Sequence, residues 1–407
     1  MIGPLDRPWS GGPNPLWLTE LDVATGMVLG SVAPEPWPES GDDPLAALER
    51  EARELLGGGG RCVLAFSGGR DSSALLAVFL RVARREGFDE PAAVTARWPE
   101  DPDSDEREWQ EHVARRLGLR DWEIVNPGAD VDLLGERSTR LLTELGLLWP
   151  APFAALWTMV EAARDGVLVT GEGGDEVFAH WSFSRVWSQL KRGRALRHVA
   201  RALGYAALPS PLRRRRALGR AQPYQSWLTD EARHAQRLAL AEEEAIGERP
   251  WWPGHLRETA SGRSLWLSRR SMASLCARRG ARFATPLVAP SFLAALARRG
   301  GRTGWGDRTE AMTAVFGPVL DREILGRSTK ATFGTVFWGP ASRAFAEEWD
   351  GVGLDPRWVD PDALRAAWKE PTPTYGTALP LQAAWLAARR RREPGIAQGH
   401  PPGEPTP

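Results

Sequence analysis

One stretch combines glycine, hydroxyl and carboxylate groups in a spacing suited to phosphate: residues 67–73, with the sequence SGGRDSS. An apolar run at 62–66 precedes it and another at 74–80 follows it, which predicts a buried strand, a tight loop and a helix. The first turn of a helix presents unpaired backbone N–H groups and the positive end of the helix dipole, so it attracts anions. The sequence therefore predicts an anion-binding loop here.

The residue types of this loop suit a phosphate ligand. Gly68 and Gly69 lack a Cβ, so the backbone can approach a phosphate closely. Asp71 places a carboxylate where a phosphate-bound Mg²⁺ could be held. Hydroxyl donors come from three serines: Ser67, Ser72 and Ser73. The alternative is a plain strand–turn–helix corner whose serines only cap the helix. The complete pattern, set between a strand and a helix, favours the phosphate loop.

A second motif, TGEGGDE at residues 170–176, follows another apolar run about a hundred residues later. Thr170 and Gly171 begin it, and its glycines let the backbone lie close to a nucleotide. Glu172 and Asp175 present carboxylates that could face a metal ion. Alone, the motif could be an ordinary acidic turn. At the same edge of one predicted sheet as the first loop, it indicates a shared binding site.

The elements that position these loops alternate between strand and helix. Strands are predicted at 62–66, 92–96, 122–125 and 167–170, with helices between them that end near residues 86, 117 and 145. This alternation predicts an α/β fold with a doubly wound parallel sheet and right-handed crossovers. Ligands of such a sheet bind at the carboxyl ends of its strands.

The chain of 407 residues divides into four predicted regions. An extension at 1–45 contains a possible hairpin around residues 24–26, and the α/β domain covers 46–190. Beyond residue 180 the strand signal vanishes, so 191–390 is predicted to be a mainly helical substrate region. Residues 391–407, rich in Pro and Gly, are predicted to be disordered. The basic stretch 191–220 is interpreted as a solvated helix face in preference to a docking site for an acidic peptide.

Composition excludes several classes of protein. The formal net charge is zero, which predicts no nucleic-acid or membrane partner. The sequence has no apolar run of about 20 residues and no signal-peptide core, so the cytoplasm is the expected location. Cys62 and Cys276 are too few for a disulfide framework or a cysteine metal site.

The two loops together resemble those of the synthetase domain of the asparagine synthetase family. A third similar element is EILGRSTKATF at residues 323–333, and a weaker one begins at Asp105 and Glu106. Thr285 opens a segment that resembles the family's Pro-Phe-Leu-Asp, with Ala289 where an aspartate is expected. The resemblance covers roughly residues 50–390. It implies a fold of the PP-loop, adenine-nucleotide α-hydrolase-like type, with ATP and Mg²⁺ as cofactors.

The resemblance also implies a reaction. A substrate carboxylate attacks the α-phosphate of ATP to give an acyl-adenylate, and an amine then displaces AMP. Lys330 would stabilise the developing charge, although a plain surface lysine is the alternative. Glu172 would act as general base, and Asp71 and Asp175 would hold Mg²⁺. Further contacts to ATP would come from the two loops and from Arg308: Ser67, Gly68, Gly69, Asp71, Ser72, Ser73, Thr170, Gly171 and Arg308.

The source of the amine is a separate question. Position 2 is Ile2 and no cysteine lies near the start, so we expect no glutaminase of the chain's own. The sequence of residues Arg327–Lys330 is similar to the corresponding motif of lasso-peptide macrolactam cyclases. The favoured function is therefore intramolecular macrolactam formation, with a leader-binding protein or peptidase as a partner. The alternatives are a synthetase for a small-molecule carboxylate and amine, another pyrophosphatase of the SGG type, and a non-catalytic nucleotide-binding scaffold.

Overall fold

A computed structural model describes the chain from residue 7 to residue 393. Positions outside the described set are 40, 42, 100, 102–103, 179–180, 182, 185–186, 188–203, 205–207, 221–222, 247–248 and 329–335. No helix among the described residues is long and apolar enough to cross a membrane.

The centre of the fold is a five-stranded sheet in which every pairing is parallel. Its strand order is β3-β2-β1-β4-β5, so the chain moves outward from β1 in one direction and then in the other. This reversal places a crevice at the carboxyl ends of β1 and β4. The strands are Cys62–Ala65 (β1), Ala92–Ala96 (β2), Trp122–Val125 (β3), Val167–Val169 (β4) and Arg282–Ala284 (β5).

Helices cover both faces of the sheet and make up most of the region that follows β4. Their bounds are Glu20–Thr25 (α1), Pro44–Gly57 (α2), Arg70–Glu86 (α3), Arg107–Leu117 (α4), Glu136–Leu145 (α5), Trp157–Ala162 (α6), Gly174–Val177 (α7), Ser210–Leu218 (α8), Asp230–Ile246 (α9), Trp252–Ala260 (α10), Arg263–Ala277 (α11), Pro290–Gly300 (α12), Arg308–Phe316 (α13), Arg322–Leu325 (α14), Pro340–Glu348 (α15), Pro361–Lys369 (α16) and Ala378–Arg392 (α17).

The two faces of β1 contribute to separate hydrophobic cores. Leu64 and Phe66 pack with the apolar side of α3, whereas Val63 and Ala65, the alternate residues, pack on the opposite face with residues of α5 and α6. Alternate residues of a strand point to opposite faces, so a continuous apolar run is buried on both sides. The doubly wound α/β fold and its mainly helical carboxyl-terminal part, both predicted from the sequence, are confirmed.

The strand β5 corrects the expectation that strands end near residue 180. It has only three residues, Arg282–Ala284, and their side chains range from exposed to half-buried. It pairs with β4 in the register Val167↔Arg282. A three-residue strand without an apolar run has too little periodicity to be distinguished from a loop. Pairing with β4, and not its own sequence, makes this segment a strand.

The predicted hairpin near residue 25 is also wrong, because residues Glu20–Thr25 form α1. Thr19 caps this helix in a capping box with Asp22. Gly26 ends it in the left-handed conformation, and a Cβ at that position would lie 1.8 Å from the carbonyl oxygen of Gly376. Gly26, which was predicted to form a hairpin turn, therefore ends α1 and packs against the backbone of the carboxyl-terminal region.

The predicted domain boundaries stay predictions. Most of the basic stretch 191–220 and all of the tail after residue 393 lie outside the described residues. In the described part of that stretch, α8 exposes most of its side chains, and Arg214 pairs with Glu242 of α9 at 2.9 Å.

Both cysteines are expected to be unreactive in the folded protein. Cys62 and Cys276 are buried, and burial raises the pKa of each thiol to about 12. Because the thiolate is the reactive form, a disulfide reagent such as DTNB at pH 8 should modify neither thiol in native buffer and both in denaturant. Rapid modification of the native protein would contradict this assignment.

Candidate active site

The first glycine loop joins β1 to α3 and leaves the amino end of that helix open. Gly68 has a φ of 80°, in the left-handed region that favours glycine. Gly69 is the N-cap of α3, and no side chain caps the helix. Ser67 Oγ lies 3.1 Å from Ser72 Oγ, which donates to the Gly69 carbonyl at 3.2 Å. The serines therefore do not act as helix caps, and the first N–H groups of α3 are available to an anion.

Ser73 has a different environment from the other two serines. It is fully buried, and its backbone N–H donates to the Gly69 carbonyl at 3.0 Å. Within the part of the chain that the structure describes, its hydroxyl has no hydrogen-bond partner. A contact between this hydroxyl and phosphate stays a prediction.

The second glycine loop lies directly against the first. Thr170 N donates to the Ala284 carbonyl at 3.1 Å, which fixes the start of the loop to β5. A Cβ on Gly171 would lie 3.0 Å from Ser72 N, and one on Gly174 would lie 2.4 Å from Asp71 Cγ. A Cβ at Gly174 would overlap the Asp71 side chain, and one at Gly171 would require the first turn of α3 to shift by a few tenths of an ångström. The prediction that both loops share one edge of the sheet is confirmed.

A guanidinium group joins the two aspartates that were predicted to hold metal. Arg308 Nη2 donates to both carboxylate oxygens of Asp71, at 2.8 and 2.6 Å, and Arg308 Nη1 donates to Asp175. Burial raises the pKa of Asp71, an effect that the charge of Arg308 opposes. Burial disfavours charge on Arg308, but Asp71 and Asp175 outweigh that effect and raise its pKa. The structure therefore contains a half-buried ionic cluster beside the first turn of α3.

No group of three or more metal-ligating side chains occurs among the described residues. Two carboxylates nevertheless suit a Mg²⁺ ion that also binds phosphate oxygens. Asp175 is the more accessible of the two, with 54% of its side chain exposed against 16% for Asp71. Arg308 competes with a metal ion for both carboxylates. A nucleotide phosphate could offer that guanidinium another partner.

Glu172, the predicted general base, faces α11. Burial has the largest effect and raises the pKa of the Glu172 carboxyl, and the charge of Glu176 raises it as well. A hydrogen bond from Ser268 and the charge of Arg269, both on α11, lower it. The net shift is upward, which favours a proton-accepting role nearer to neutral pH. Ser268 was not predicted, because nothing in its helical surroundings marks it in the sequence.

The third similar element is only partly described. Lys330 lies in 329–335, outside the described residues. Arg327, three positions earlier, pairs with Glu106 at 2.7 Å, and both side chains are largely buried, at 13% and 9% exposed. The weak match at Asp105 and Glu106 is therefore in contact with the element that contains Lys330.

Ala289 occupies the position where the resemblance predicts an aspartate. It is the N-cap of α12 and provides no side-chain cap. The preceding turn, Pro286–Val288, packs against the second glycine loop: a Cβ on Gly173 would lie 2.2 Å from Val288 Cγ1. The segment therefore supports the loop even though its carboxylate is absent.

Residues 46–243 match the family model described as asparagine synthase. The matched segment is just under half of the chain and includes both glycine loops, whereas Arg308 and Lys330 lie beyond it. The match supports the asparagine synthetase family, whose members are ATP-dependent ligases that form amides, typically with Mg²⁺. No curated protein sequence matches the chain.

Replacing Arg308 with Gln should destabilise the protein in a pH-dependent manner. The variant leaves the Asp71 carboxylate buried without its partner, which costs up to about 3 kcal/mol of unfolding free energy near neutral pH. A carboxyl whose folded-state pKa is raised loses stability as the pH rises through that pKa. The deficit relative to wild type should therefore grow from pH 4 to pH 8, as measured by denaturant unfolding.

The Arg308→Lys variant is the matched control, since it keeps the positive charge but cannot reproduce the guanidinium hydrogen bonds to both carboxylates. It should show a smaller deficit at pH 8. Equal stabilities of wild type and Arg308→Gln at pH 8 would contradict the structural role of this cluster.

Proposed function

We propose that the protein is an ATP-dependent, AMP-forming amide ligase that adenylates a substrate carboxylate and couples it to an amine. The observation that supports this most directly is the contact between the two glycine loops, with the Gly171 backbone against the first turn of α3. Loops at the carboxyl ends of adjacent strands, at the point where strand order reverses, form the usual ligand crevice of such a sheet. The family match over the same residues supports ATP as the ligand.

In this proposal the first loop binds the β- and γ-phosphates. The N–H groups at the start of α3 and the hydroxyls of Ser67 and Ser72 are the donors. Asp71 and Asp175 would hold the Mg²⁺, which neutralises charge on the leaving pyrophosphate. Arg308, released from one or both carboxylates, would bind a phosphate oxygen. Binding energy from these contacts orients the α-phosphate for attack.

Two bond-forming steps follow. A carboxylate oxygen of the substrate bonds to the α-phosphorus while the bond to pyrophosphate breaks. The amine nitrogen then bonds to the acyl carbon while the bond to AMP breaks, and Glu172 accepts the amine proton. Lys330 would stabilise the negative charge of both transition states. The buried Arg327–Glu106 pair supports this role, because it anchors the chain three residues before Lys330.

Within this reaction class we favour intramolecular macrolactam formation on a peptide, of the lasso type, in the cytoplasm. The support is the sequence of residues Arg327–Lys330, which is similar to the corresponding motif of lasso-peptide cyclases. A leader-binding protein or peptidase would then act as a partner. A ligase for a small-molecule carboxylate is the alternative, and the choice of substrate in the following assay separates the two.

The first half-reaction is expected to exchange pyrophosphate into ATP. Radiolabelled pyrophosphate should enter ATP when the protein is supplied with the correct carboxylate, tested across precursor-like peptides and small carboxylic acids. Lys330→Ala and Asp175→Asn should each lower the exchange rate by at least about a hundredfold, because each removes charge stabilisation from the transition state.

Surface residues provide the controls for this assay. Lys369→Ala and Asp230→Asn remove the same groups at exposed positions, where Lys369 pairs with exposed Glu347 and Asp230, fully exposed, pairs with Arg233 of the same helix. Both should keep wild-type exchange. Full exchange by Lys330→Ala would refute its assigned role, and no exchange with any carboxylate would favour the scaffold function.

The second half-reaction should depend on Glu172. Glu172→Gln should retain pyrophosphate exchange and lose amide formation, because the base acts only after adenylation. Ser268→Ala removes a hydrogen bond that lowers the Glu172 pKa, so the acidic limb of the amide-forming rate should move to higher pH. Ser268→Thr, which keeps the hydroxyl, should restore the wild-type profile. An unchanged profile in Ser268→Ala would exclude Glu172 as the titrating base.

A further inference from the structure

Every backbone carbonyl of the first glycine loop accepts a hydrogen bond from the protein. The acceptors are four consecutive residues, and their donors come from β2, α4 and α3. The pairs are Thr95 Oγ1 to Phe66 O at 2.6 Å, Gln110 Nε2 to Ser67 O at 3.3 Å, Trp109 Nε1 to Gly68 O at 2.9 Å, and Ser73 N to Gly69 O at 3.0 Å. The acceptors of the loop are thus all directed into the protein.

The direction of these carbonyls decides what the loop can bind. A carbonyl oxygen that faced a phosphate would repel it, whereas an N–H group attracts it. Ser67 N and Gly69 N donate to Ser72 Oγ at 3.3 Å and to Ser67 Oγ at 3.2 Å. Among the described residues, the Gly68 N–H has no acceptor, and the first N–H groups of α3 have none within the helix. Donors on one side and satisfied acceptors on the other are the arrangement that an anion site requires.

Two neighbouring side chains of α4 determine this direction. Trp109 and Gln110 bond the carbonyls of Gly68 and Ser67, and a Cβ on Gly68 would lie 2.9 Å from Gln110 Cγ. Gln110 of α4 is therefore in close contact with Gly68, the loop residue with a left-handed φ. Gln110 is itself 5% exposed, and its Oε1 accepts from Arg97 Nε at 2.8 Å, so its amide orientation is fixed.

The orientation of the Trp109 side chain is also fixed by its neighbours. Glu106, the N-cap of α4, lies three residues before Trp109 and forms the buried pair with Arg327. The guanidinium carbon of Arg327 lies 4.9 Å from the centre of the Trp109 ring, within range of a cation–π interaction. His112 stacks on the Trp109 ring with centroids 5.2 Å apart. The indole N–H therefore has little freedom to leave the Gly68 carbonyl.

We propose that Trp109 and Gln110 are positioning residues for the triphosphate: they hold the carbonyls of Gly68 and Ser67 inward, so that the Gly68 N–H and the first N–H groups of α3 face the nucleotide. This inference rests on the proposed use of ATP. Neither side chain needs to touch the nucleotide. Their effect is specific to the phosphates, because the loop faces no other part of the ligand in the proposed binding mode.

The test is calorimetric binding of Mg·ATP and of adenosine to the full-length protein. Trp109→Phe keeps the aromatic ring and removes the N–H, which leaves the Gly68 carbonyl free to turn outward. Its affinity for ATP should fall about tenfold, as expected for the loss of one buried hydrogen bond. Its affinity for adenosine, which has no phosphates, should be unchanged. Gln110→Leu should show the same split.

Trp17→Phe is the matched control, since this indole lies on the amino-terminal segment and is 52% exposed; it should bind both ligands as wild type does. Wild-type ATP affinity in Trp109→Phe would overturn the inference and leave the proposed function intact. Equal losses for ATP and adenosine would overturn it in favour of general misfolding.

The wild-type protein distinguishes the remaining outcomes. Failure of wild type to bind ATP would overturn the inference and the proposed function together. Binding with the expected split, but without pyrophosphate exchange for any carboxylate, would support the positioning role and contradict amide ligation alone.

Discussion

Two loops meet at the carboxyl ends of β1 and β4, and the second loop has glycine at both points of closest approach. A Cβ on Gly171 would lie tightly against the Ser72 amide, and one on Gly174 would overlap the Asp71 carboxylate. The positions of all other groups in the candidate site follow from this contact. It places Asp175 within reach of the guanidinium that binds Asp71, and it directs Glu172 toward α11. The contact also requires adjacent parallel strands, since only these end side by side at one edge.

The charges of the site are balanced within a partly buried space. Arg308 bonds Asp71 and Asp175, while nearby Arg70 has its pKa lowered by burial and by the charge of Arg308. The amino end of α3 adds further positive potential. An incoming anion would therefore find the N–H groups of α3 already directed toward it, whereas Arg308 would first have to leave one or both carboxylates. The same arrangement explains why the cluster is a structural element before any ligand binds.

The sequence was informative where local pattern determines structure. Four strands and the first helices follow from apolar runs, and both glycine loops follow from residue type. β5 could not be predicted, because three residues from Arg282 to Ala284 become a strand only by pairing with β4. Trp109 and Gln110 were missed for a related reason. Their partners are 41 and 43 residues away in sequence, and no local rule identifies which carbonyl a helix residue will bond.

The distance in sequence between β4 and β5 has a consequence for how the protein is made. Val167 pairs with Arg282, so more than a hundred residues are synthesised after β4 before β5, its second neighbour in the sheet, exists. Until then the four amino-terminal strands can assemble with the backbone edge of β4 unpaired, in addition to the β3 edge that stays open in the finished sheet. The β4 side chains Val167, Leu168 and Val169 are fully buried in the finished fold. Such an edge is a template for pairing with other chains. Nascent chains that end between residues 170 and 284 are therefore the form most exposed to aggregation, and the second glycine loop reaches its final position only when β5 joins the sheet.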